Sequence, residues 1–191
     1  METAFADAKM RSEGSAWRRL GLLMPLVALM LAGCYESDVA VIDKGEMAAI
    51  AGKYACRLLI DNEDAFDLTV AEATPGTYRF AATDIAGTVK LKRLAGERYL
   101  LQLSDDSNPG TWYYAYGEPT GAAGFRALYP KWDDKALPNA AMKTYAVRFF
   151  DVMGREDATG TTVKAEPAEL LRFLSDPGVH GLKPWFTCER A

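Results

Sequence analysis

The side chains able to support catalysis or bind a metal are sparse in this chain of 191 residues. It has a single histidine, His180, in the proline- and glycine-rich stretch 177–181. A zinc site needs three or four ligands, and no cluster of histidine and cysteine supplies them. Ser104, Ser107 and Ser175 lack the G-x-S-x-G turn that exposes a hydrolase nucleophile. We therefore expect no enzyme activity and no metal, and we expect His180 to be a loop residue.

The carboxylates are numerous but crowd into predicted turns. The stretch 61–67 (DNEDAFD) is rich in acids, yet it lacks the central glycine and the late glutamate of a calcium-binding loop. The acid pairs Asp105-Asp106 and Asp133-Asp134 also lie in turns, and adjacent acids on a strand face opposite sides. We expect solvated loops, while a glycosidase-like pair drawn from distant positions remains open.

The densest aromatic stretch is WYYAY at 112–116. On a strand, Trp112, Tyr114 and Tyr116 share one face, and Tyr113 lies on the other. If the first three point inward, they are core residues that bury a large area. If they lie on an open concave face, they can stack on a sugar, peptidoglycan or an apolar ligand. Both alternatives remain, so Trp112, Tyr114 and Tyr116 are a candidate ligand or partner surface.

The N-terminal segment has the features of an export signal. Arg18 and Arg19 precede the apolar run 20–33 (LGLLMPLVALMLAG), which is shorter than the ~20 residues that span a bilayer. Basic residues, a short apolar run and small residues, in this order, predict a secretory signal peptide. The acidic start METAFADAK makes Met10 an alternative to Met1 as the first residue.

The end of the apolar run, Leu31-Ala32-Gly33-Cys34, resembles the lipobox of bacterial lipoprotein precursors. The resemblance covers only the leader. In that family a peptidase cuts before the cysteine, whose thiol carries diacylglycerol, so the resemblance implies loss of residues 1–33 and a lipid-anchored Cys34. The following residue is Tyr35 and not the aspartate that favours inner-membrane retention, which implies the outer membrane, facing the periplasm. The alternative is a buried core cysteine.

The rest of the chain is expected to form a lipidated tether at 34–52 and one β-rich domain at 53–191. The formal net charge of −4 argues against nucleic acid, which requires a basic face. No glycine-rich phosphate loop or dinucleotide fingerprint is present, so we expect no cofactor. The expected partners are the membrane, through the lipid, and an envelope protein or peptidoglycan.

Besides Cys34, two cysteines follow the leader, Cys56 and Cys188. In an exported protein, an even number of cysteines predicts a disulfide. The bridge would close a loop of about 130 residues, worth roughly 5 kcal/mol on the chain-entropy model. Two unpaired buried thiols are the alternative.

From residue 53 onward, apolar and polar residues alternate with a period of two, and turn residues recur about every ten residues. The predicted strands are Tyr54–Ile60, Phe66–Val70, Tyr78–Ala82, Val89–Leu91, Tyr99–Leu103, Trp112–Tyr116, Phe125–Tyr129, Tyr145–Phe150, Thr161–Lys164 and Trp185–Cys188. A helix is predicted that begins near Pro167, includes Leu174 and is stopped by Asp176-Pro177-Gly178. We expect a mainly β fold, an antiparallel meander curling into a barrel-like sheet, with one short C-terminal helix. A closed barrel and an open sheet both fit.

These observations favour a non-enzymatic envelope lipoprotein that acts as a binding or structural module. The alternative is a carrier of a small apolar or sugar-like ligand. Gly52-Lys53-Tyr54 resembles the glycine–aromatic opening of lipocalins, with tyrosine in place of the usual tryptophan. That resemblance implies a ligand site inside a barrel. A hydrolase is the third alternative, and no motif supports it.

Overall fold

The computed structural model describes residues 34–60, 64–121, 123–131 and 136–191, so the predicted signal peptide lies outside the described residues. The strands are β1 (Tyr35–Ser37), β2 (Gly52–Leu58), β3 (Ala65–Thr74), β4 (Thr77–Ala81), β5 (Ala86–Arg93), β6 (Tyr99–Asp105), β7 (Trp112–Pro119), β8 (Gly124–Pro130), β9 (Arg148–Phe150), β10 (Thr162–Lys164) and β11 (Leu182–Arg190). The helices are α1 (Ala136–Tyr145) and α2 (Pro167–Leu174), and a 3-10 turn spans Pro177–Val179. Within these described ranges, no helix has the length and apolar character needed to cross a bilayer.

Eight antiparallel strands form a closed barrel. β2 to β8 follow one another as a meander, the chain then leaves the barrel, and β11 returns between β8 and β2 to close it. This confirms the predicted mainly β fold and decides in favour of a closed barrel over an open sheet. The alternation seen in the sequence is the alternation of faces: on β2, Tyr54, Cys56 and Leu58 are buried inside, and the residues between them are exposed.

The predicted disulfide is confirmed. Cys56 on β2 and Cys188 on β11 lie directly opposite each other in the antiparallel pair, with their Cα atoms 4.1 Å apart and their sulfurs bonded. The bridge therefore joins the first barrel strand to the last.

A second layer packs on the outside of the barrel. The first half of β7 pairs with β1, and its second half pairs with β8, so a small sheet of β1, β10 and β9 branches from the barrel wall. Between this sheet, the two helices and the outer face of β6 to β8 lies a second core, which includes Tyr116, Phe149 and Phe173. The chain thus has one core inside the barrel and one beside it.

The helix prediction is correct for α2 and incomplete overall. α2 begins at Pro167, whose missing N–H suits the first helical position, and ends at Leu174, just before the predicted stop at Asp176-Pro177-Gly178. The expectation of one helix was wrong, because α1 forms between β8 and β9, where no helix was predicted. Its residues are mostly alanine and polar residues, and only a few of them, such as Ala141 and Tyr145, contact the second core.

The segment between β1 and β2 lies against the barrel. The buried side-chain oxygen of Gln102 on β6 accepts hydrogen bonds from the backbone N–H groups of Val41 and Ile42, both at 2.7 Å. Further along, Gly45 and Gly76 approach backbone to backbone, and a Cβ at Gly76 would lie 2.0 Å from the carbonyl oxygen of Gly45. These contacts bring residues 48–50 to the end of the barrel where β2 begins.

Candidate ligand-binding cavity

The barrel encloses a cavity of about 340 Å³. Every barrel strand contributes inward-facing residues, nearly all of them apolar, to its wall. The main ones are Tyr54, Phe66, Leu68, Val70, Phe80, Val89, Leu91, Tyr99, Leu101, Leu103, Ala115, Gly117, Phe125, Ala127, Trp185 and Phe186. Eight-stranded barrels are either filled by their side chains or hold one small ligand. The volume of this cavity lies within the range of ligand pockets, about 300–1,000 Å³.

Small residues on β7 and β8 leave room for the cavity inside the barrel. Ala115 and Gly117 point inward from β7, and Ala127, directly opposite Gly117, points inward from β8. The three heavy atoms nearest to a Cβ placed on Gly117 would be side-chain carbons of Leu101, at 3.4 Å or more. A larger side chain at this position would therefore extend into the cavity.

The cavity opens at one end of the barrel. The exposed residues of its wall are Ala49, Pro119, Gly121, Ala123 and Arg190, which lie on the segment before β2, the β7–β8 turn and the end of β11.

The segment before β2 is held in place at this opening. The Tyr54 hydroxyl donates to the carbonyl of Ile50 at 2.8 Å, and the Tyr78 hydroxyl donates to that of Ala48 at 2.8 Å. The Arg190 guanidinium lies over the Tyr54 ring and donates to the carbonyl of Ala51 at 2.6 Å. The opening therefore has a polar rim around an apolar interior.

Trp185 occupies the other end of the wall. The register of β11 shifts between Pro184 and Phe186, so Trp185 and Phe186 both contact the inner core although they are consecutive. Trp185 is 5 % exposed, and its indole N–H has no hydrogen-bond partner among the described residues. Trp185 thus lines the cavity, while its N–H is closed off from it and has no partner in the described part of the chain. Sequence reasoning missed this position of Trp185, because alternation alone does not predict the bulge.

The predicted aromatic surface lies on the opposite face of β7 from the cavity. Tyr114 and Tyr116 are 0 % exposed and belong to the second core, against which the half-buried Trp112 also packs. The Tyr116 hydroxyl donates to the carbonyl of Leu174 at 3.0 Å. Trp112, Tyr114 and Tyr116 therefore lie in or against a core, which was the first of the two alternatives. A ligand inside the barrel would not contact them. Tyr113 is the aromatic of this stretch that points inward.

His180 lies in a loop, as expected, but it is buried in the second core. Its Nε2 lies 3.0 Å from the carbonyl oxygen of Phe173, and its Nδ1 lies 3.0 Å from the hydroxyl of Tyr35. A carbonyl oxygen can only accept, so Nε2 carries the proton and Nδ1 accepts from Tyr35. Burial lowers the pKa of His180 to about 4. The histidine is therefore neutral and joins β1 to α2.

The acids noted in the sequence make local contacts where they are described. Asp105 accepts from the backbone N–H of Ser107 at 2.8 Å, and Asp106 pairs with Arg79 on the surface at 2.6 Å. No cluster of three or more metal-ligating side chains occurs in the described part of the chain. Residues 61–63 and the pair Asp133-Asp134 lie outside the described residues.

Cys34 is buried beside the middle of β7, where the strand that pairs with β7 changes from β1 to β8. It is 1 % exposed and belongs to the inner core. Burial raises the pKa of its thiol to about 12. In this conformation the thiol is protonated and unreactive at neutral pH.

Comparison of the chain with known protein families, with curated proteins and with solved structures finds no match. The barrel fold agrees with a lipocalin-like or other binding module.

Proposed function

We propose that this protein is a carrier that holds a small apolar ligand inside its barrel. The observation that carries the proposal is the cavity of about 340 Å³, walled by apolar side chains from all eight strands and open at one end. Each buried methylene of a ligand contributes about 0.8 kcal/mol to binding, before the cost of immobilising the ligand. An elongated, largely hydrocarbon molecule is the class that fits this wall.

Filling the cavity tests the carrier proposal. Gly117→Val places a branched side chain in the space between β7 and Leu101. We expect it to weaken binding of the neutral fluorescent probe N-phenylnaphthylamine at least about tenfold, the equivalent of two lost methylene contacts. Fluorescence titration measures the affinity, and native mass spectrometry of the purified protein shows whether a molecule copurifies.

Ala55→Val is the matched control, because Ala55 is exposed on the outer face of β2. It should bind the probe as the wild type does. A folded Gly117→Val protein with wild-type affinity, or a wild-type protein that binds no probe, would refute the carrier proposal.

We also propose that the protein is anchored in a bacterial envelope through a lipid on Cys34, at the outer membrane and facing the periplasm. The lipobox resemblance supports the anchor, and the Cys56–Cys188 disulfide fits an oxidising compartment. An exposed apolar tip adds support: Val152 and Met153, in the loop between β9 and β10, are 92 % and 75 % exposed. Because β1 and β10 run parallel, this loop lies at the end of the small sheet where β1 begins, next to Cys34.

An anchored protein must differ from the described conformation at Cys34. A residue that is 1 % exposed has no room for diacylglycerol, so the lipidated residue must lie outside the barrel. The ring of Tyr35 can stay in the second core, where it contacts His180 and Phe173.

Lipid labelling tests the anchor. Cys34→Ala expressed in bacteria should give unprocessed precursor that incorporates no radioactive palmitate, while the double variant C56A/C188A should still be labelled. Normal processing of Cys34→Ala would refute the anchor proposal. A non-enzymatic role and an envelope protein or peptidoglycan as partner stay predictions.

A further inference from the structure

We infer that the ligand of the barrel is an amphiphile with one hydrocarbon chain and one negative charge, such as a fatty acid, whose anionic head is bound by the Arg190 guanidinium at the opening. The inference rests on the proposed carrier function and specifies the class of ligand. It starts from a positive charge on the wall of the cavity that no carboxylate in the described part of the chain neutralises.

Arg190 faces the cavity from the open end of β11. It lies two residues after Cys188, whose side chain is buried in the inner core, and it is paired in register with the inward-facing Tyr54 of β2. Because side chains alternate along a strand, Arg190 belongs to the inner face of the barrel. It is nevertheless exposed, since this face reaches solvent at the opening. The guanidinium therefore lies where the apolar interior meets water.

The guanidinium is held in this position by its contacts. Its Nη2 donates to the carbonyl of Ala51 at 2.6 Å, and its central carbon lies 5.8 Å from the centre of the Tyr54 ring. Gly52 leaves room for it, because a Cβ there would lie 3.0 Å from Nε. A guanidinium has five N–H groups, and Arg190 makes no other side-chain hydrogen bond among the described residues. Donors therefore remain for a ligand.

The charges of the wall favour an anionic group at the opening. Among the described residues of the wall, Arg190 and Glu118 carry a charge. The Glu118 carboxylate is already neutralised, because it accepts from Nε of Arg126 at 3.0 Å and pairs with Arg98 at 3.3 Å. Arg190 forms no ion pair with any residue that the structure describes. One uncompensated guanidinium matches one carboxylate, which it can bind through two parallel hydrogen bonds.

The opening and the interior suit the two ends of such a molecule. A charged head inside the apolar barrel would lose its water without a counter-charge, which is costly. At the opening the head keeps part of its hydration and gains the guanidinium. The chain then extends toward Trp185, about 17 Å from Arg190 along β11 at the usual rise per residue. A cavity of about 340 Å³ lies at the lower end of the range of ligand pockets, which favours one chain over two.

Three ligands of equal carbon count test the inference. Decanoate, decanol and decylamine are negative, neutral and positive at pH 7.5. Displacement of N-phenylnaphthylamine from the purified protein measures the affinity of each. Arg190→Glu reverses the charge at the opening. We expect this variant to bind decanoate about fivefold more weakly and decylamine about fivefold more tightly than the wild type, the effect of one exposed ion pair. Its affinity for decanol should be unchanged.

Arg57→Glu is the matched control, because it changes the net charge by the same amount on the exposed outer face of β2. It should leave the affinities for all three ligands unchanged. Unchanged decanol binding by Arg190→Glu also shows that the cavity of that variant is intact.

A salt titration uses the wild-type protein and does not depend on the folding of a variant. Raising NaCl from about 20 mM to about 0.5 M screens the attraction between exposed charges, so decanoate binding should weaken at least about twofold relative to decanol binding. The formal net charge of the chain is −4, so screening of its long-range repulsion alone would give the opposite change.

The outcomes separate the inference from the proposed function. If N-phenylnaphthylamine binds but Arg190→Glu changes the three affinities equally or not at all, the ligand class is wrong and the carrier stands. The same holds if salt does not weaken decanoate binding relative to decanol binding. If Arg57→Glu acts on decanoate as strongly as Arg190→Glu, the net charge and not Arg190 selects the head. If N-phenylnaphthylamine does not bind to the wild type, the carrier itself is wrong.

Discussion

Single buried polar side chains connect the layers of this protein. Gln102 attaches the segment before β2 to the barrel, and His180 connects β1 to α2 through Tyr35 and Phe173. Neither role is visible in the sequence, where one residue sits among alternating strand residues and the other in a loop. Both side chains must keep their hydrogen-bond partners, and His180, which can titrate, must also stay in the protonation state that its partners require.

For His180 this requirement makes stability depend on pH. Its pKa is about 4 in the folded protein and about 6.5 in an unfolded chain, so below pH 6.5 the unfolded state binds the extra proton. We expect the free energy of unfolding to fall by about 2–3 kcal/mol between pH 7.5 and pH 4.5 through this group. Asp176 nearby favours the charged form, whereas Tyr35 and Tyr116 stay neutral because burial raises the pKa of each.

Urea unfolding at both pH values measures this dependence. The carboxylates titrate in the same range, so the control is His180→Gln, which keeps polar atoms at the site but does not titrate. The wild type should lose about 2–3 kcal/mol more than His180→Gln on acidification. Equal losses would show that His180 is not held neutral by the fold.

Among the elements, β7 shows most clearly what alternation in the sequence can predict and what it cannot. Alternation predicted this strand and put Tyr113 on the opposite face from Tyr114 and Tyr116. It could not show which face lines the barrel, because both faces of β7 are apolar and buried. The other predicted barrel strands and α2 were found because each has an apolar face toward a core and clear turn residues at its ends.

The elements that sequence reasoning missed lack those signals. β1 has three residues in a polar stretch and is a strand only because β7 and β10 lie on either side of it. α1 has a weak apolar face, and Pro138 lies near its start. A ligand site inside a barrel was one expectation, but the size and lining of the cavity were beyond prediction, because they depend on small residues of β7 and β8 lying side by side on adjacent strands.

The outer layer should depend strongly on α2. Phe173 is 0 % exposed and packs on Tyr35, Phe149 and His180. Phe173→Ala should lower the free energy of unfolding by about 3–5 kcal/mol, because it removes a buried ring from a close-packed site. Chemical denaturation followed by tryptophan fluorescence measures the change.

Arg172→Ala is the control on the exposed side of the same helix. Its surface pair with Glu169 contributes little, so a loss below about 1 kcal/mol is expected. A Phe173→Ala protein as stable as Arg172→Ala would mean that α2 is not part of the cooperative fold.

At the scale of the whole molecule, the barrel is closed twice, by hydrogen bonds between β2 and β11 and by the disulfide between them. C56A/C188A should unfold with a free energy about 2–5 kcal/mol lower than the wild type, measured in urea under oxidising conditions. A reductant should lower the stability of the wild type and of Cys34→Ala, which both keep the bridge. It should leave C56A/C188A unchanged, and a reductant effect on that variant would point to another cause.

The position of the disulfide also determines how the protein carries mechanical load. Tension applied through a residue before Cys56 and a residue after Cys188 passes across the bridge and bypasses the intervening strands, which span a sequence separation of 132 residues. Reducing the bridge would release roughly 450 Å of additional chain at about 3.4 Å per residue. Single-molecule pulling would register that length as an extension present only with reductant. A pull applied at these two points is therefore borne by the covalent bridge. The strands that form the wall of the cavity between Cys56 and Cys188 are not stretched.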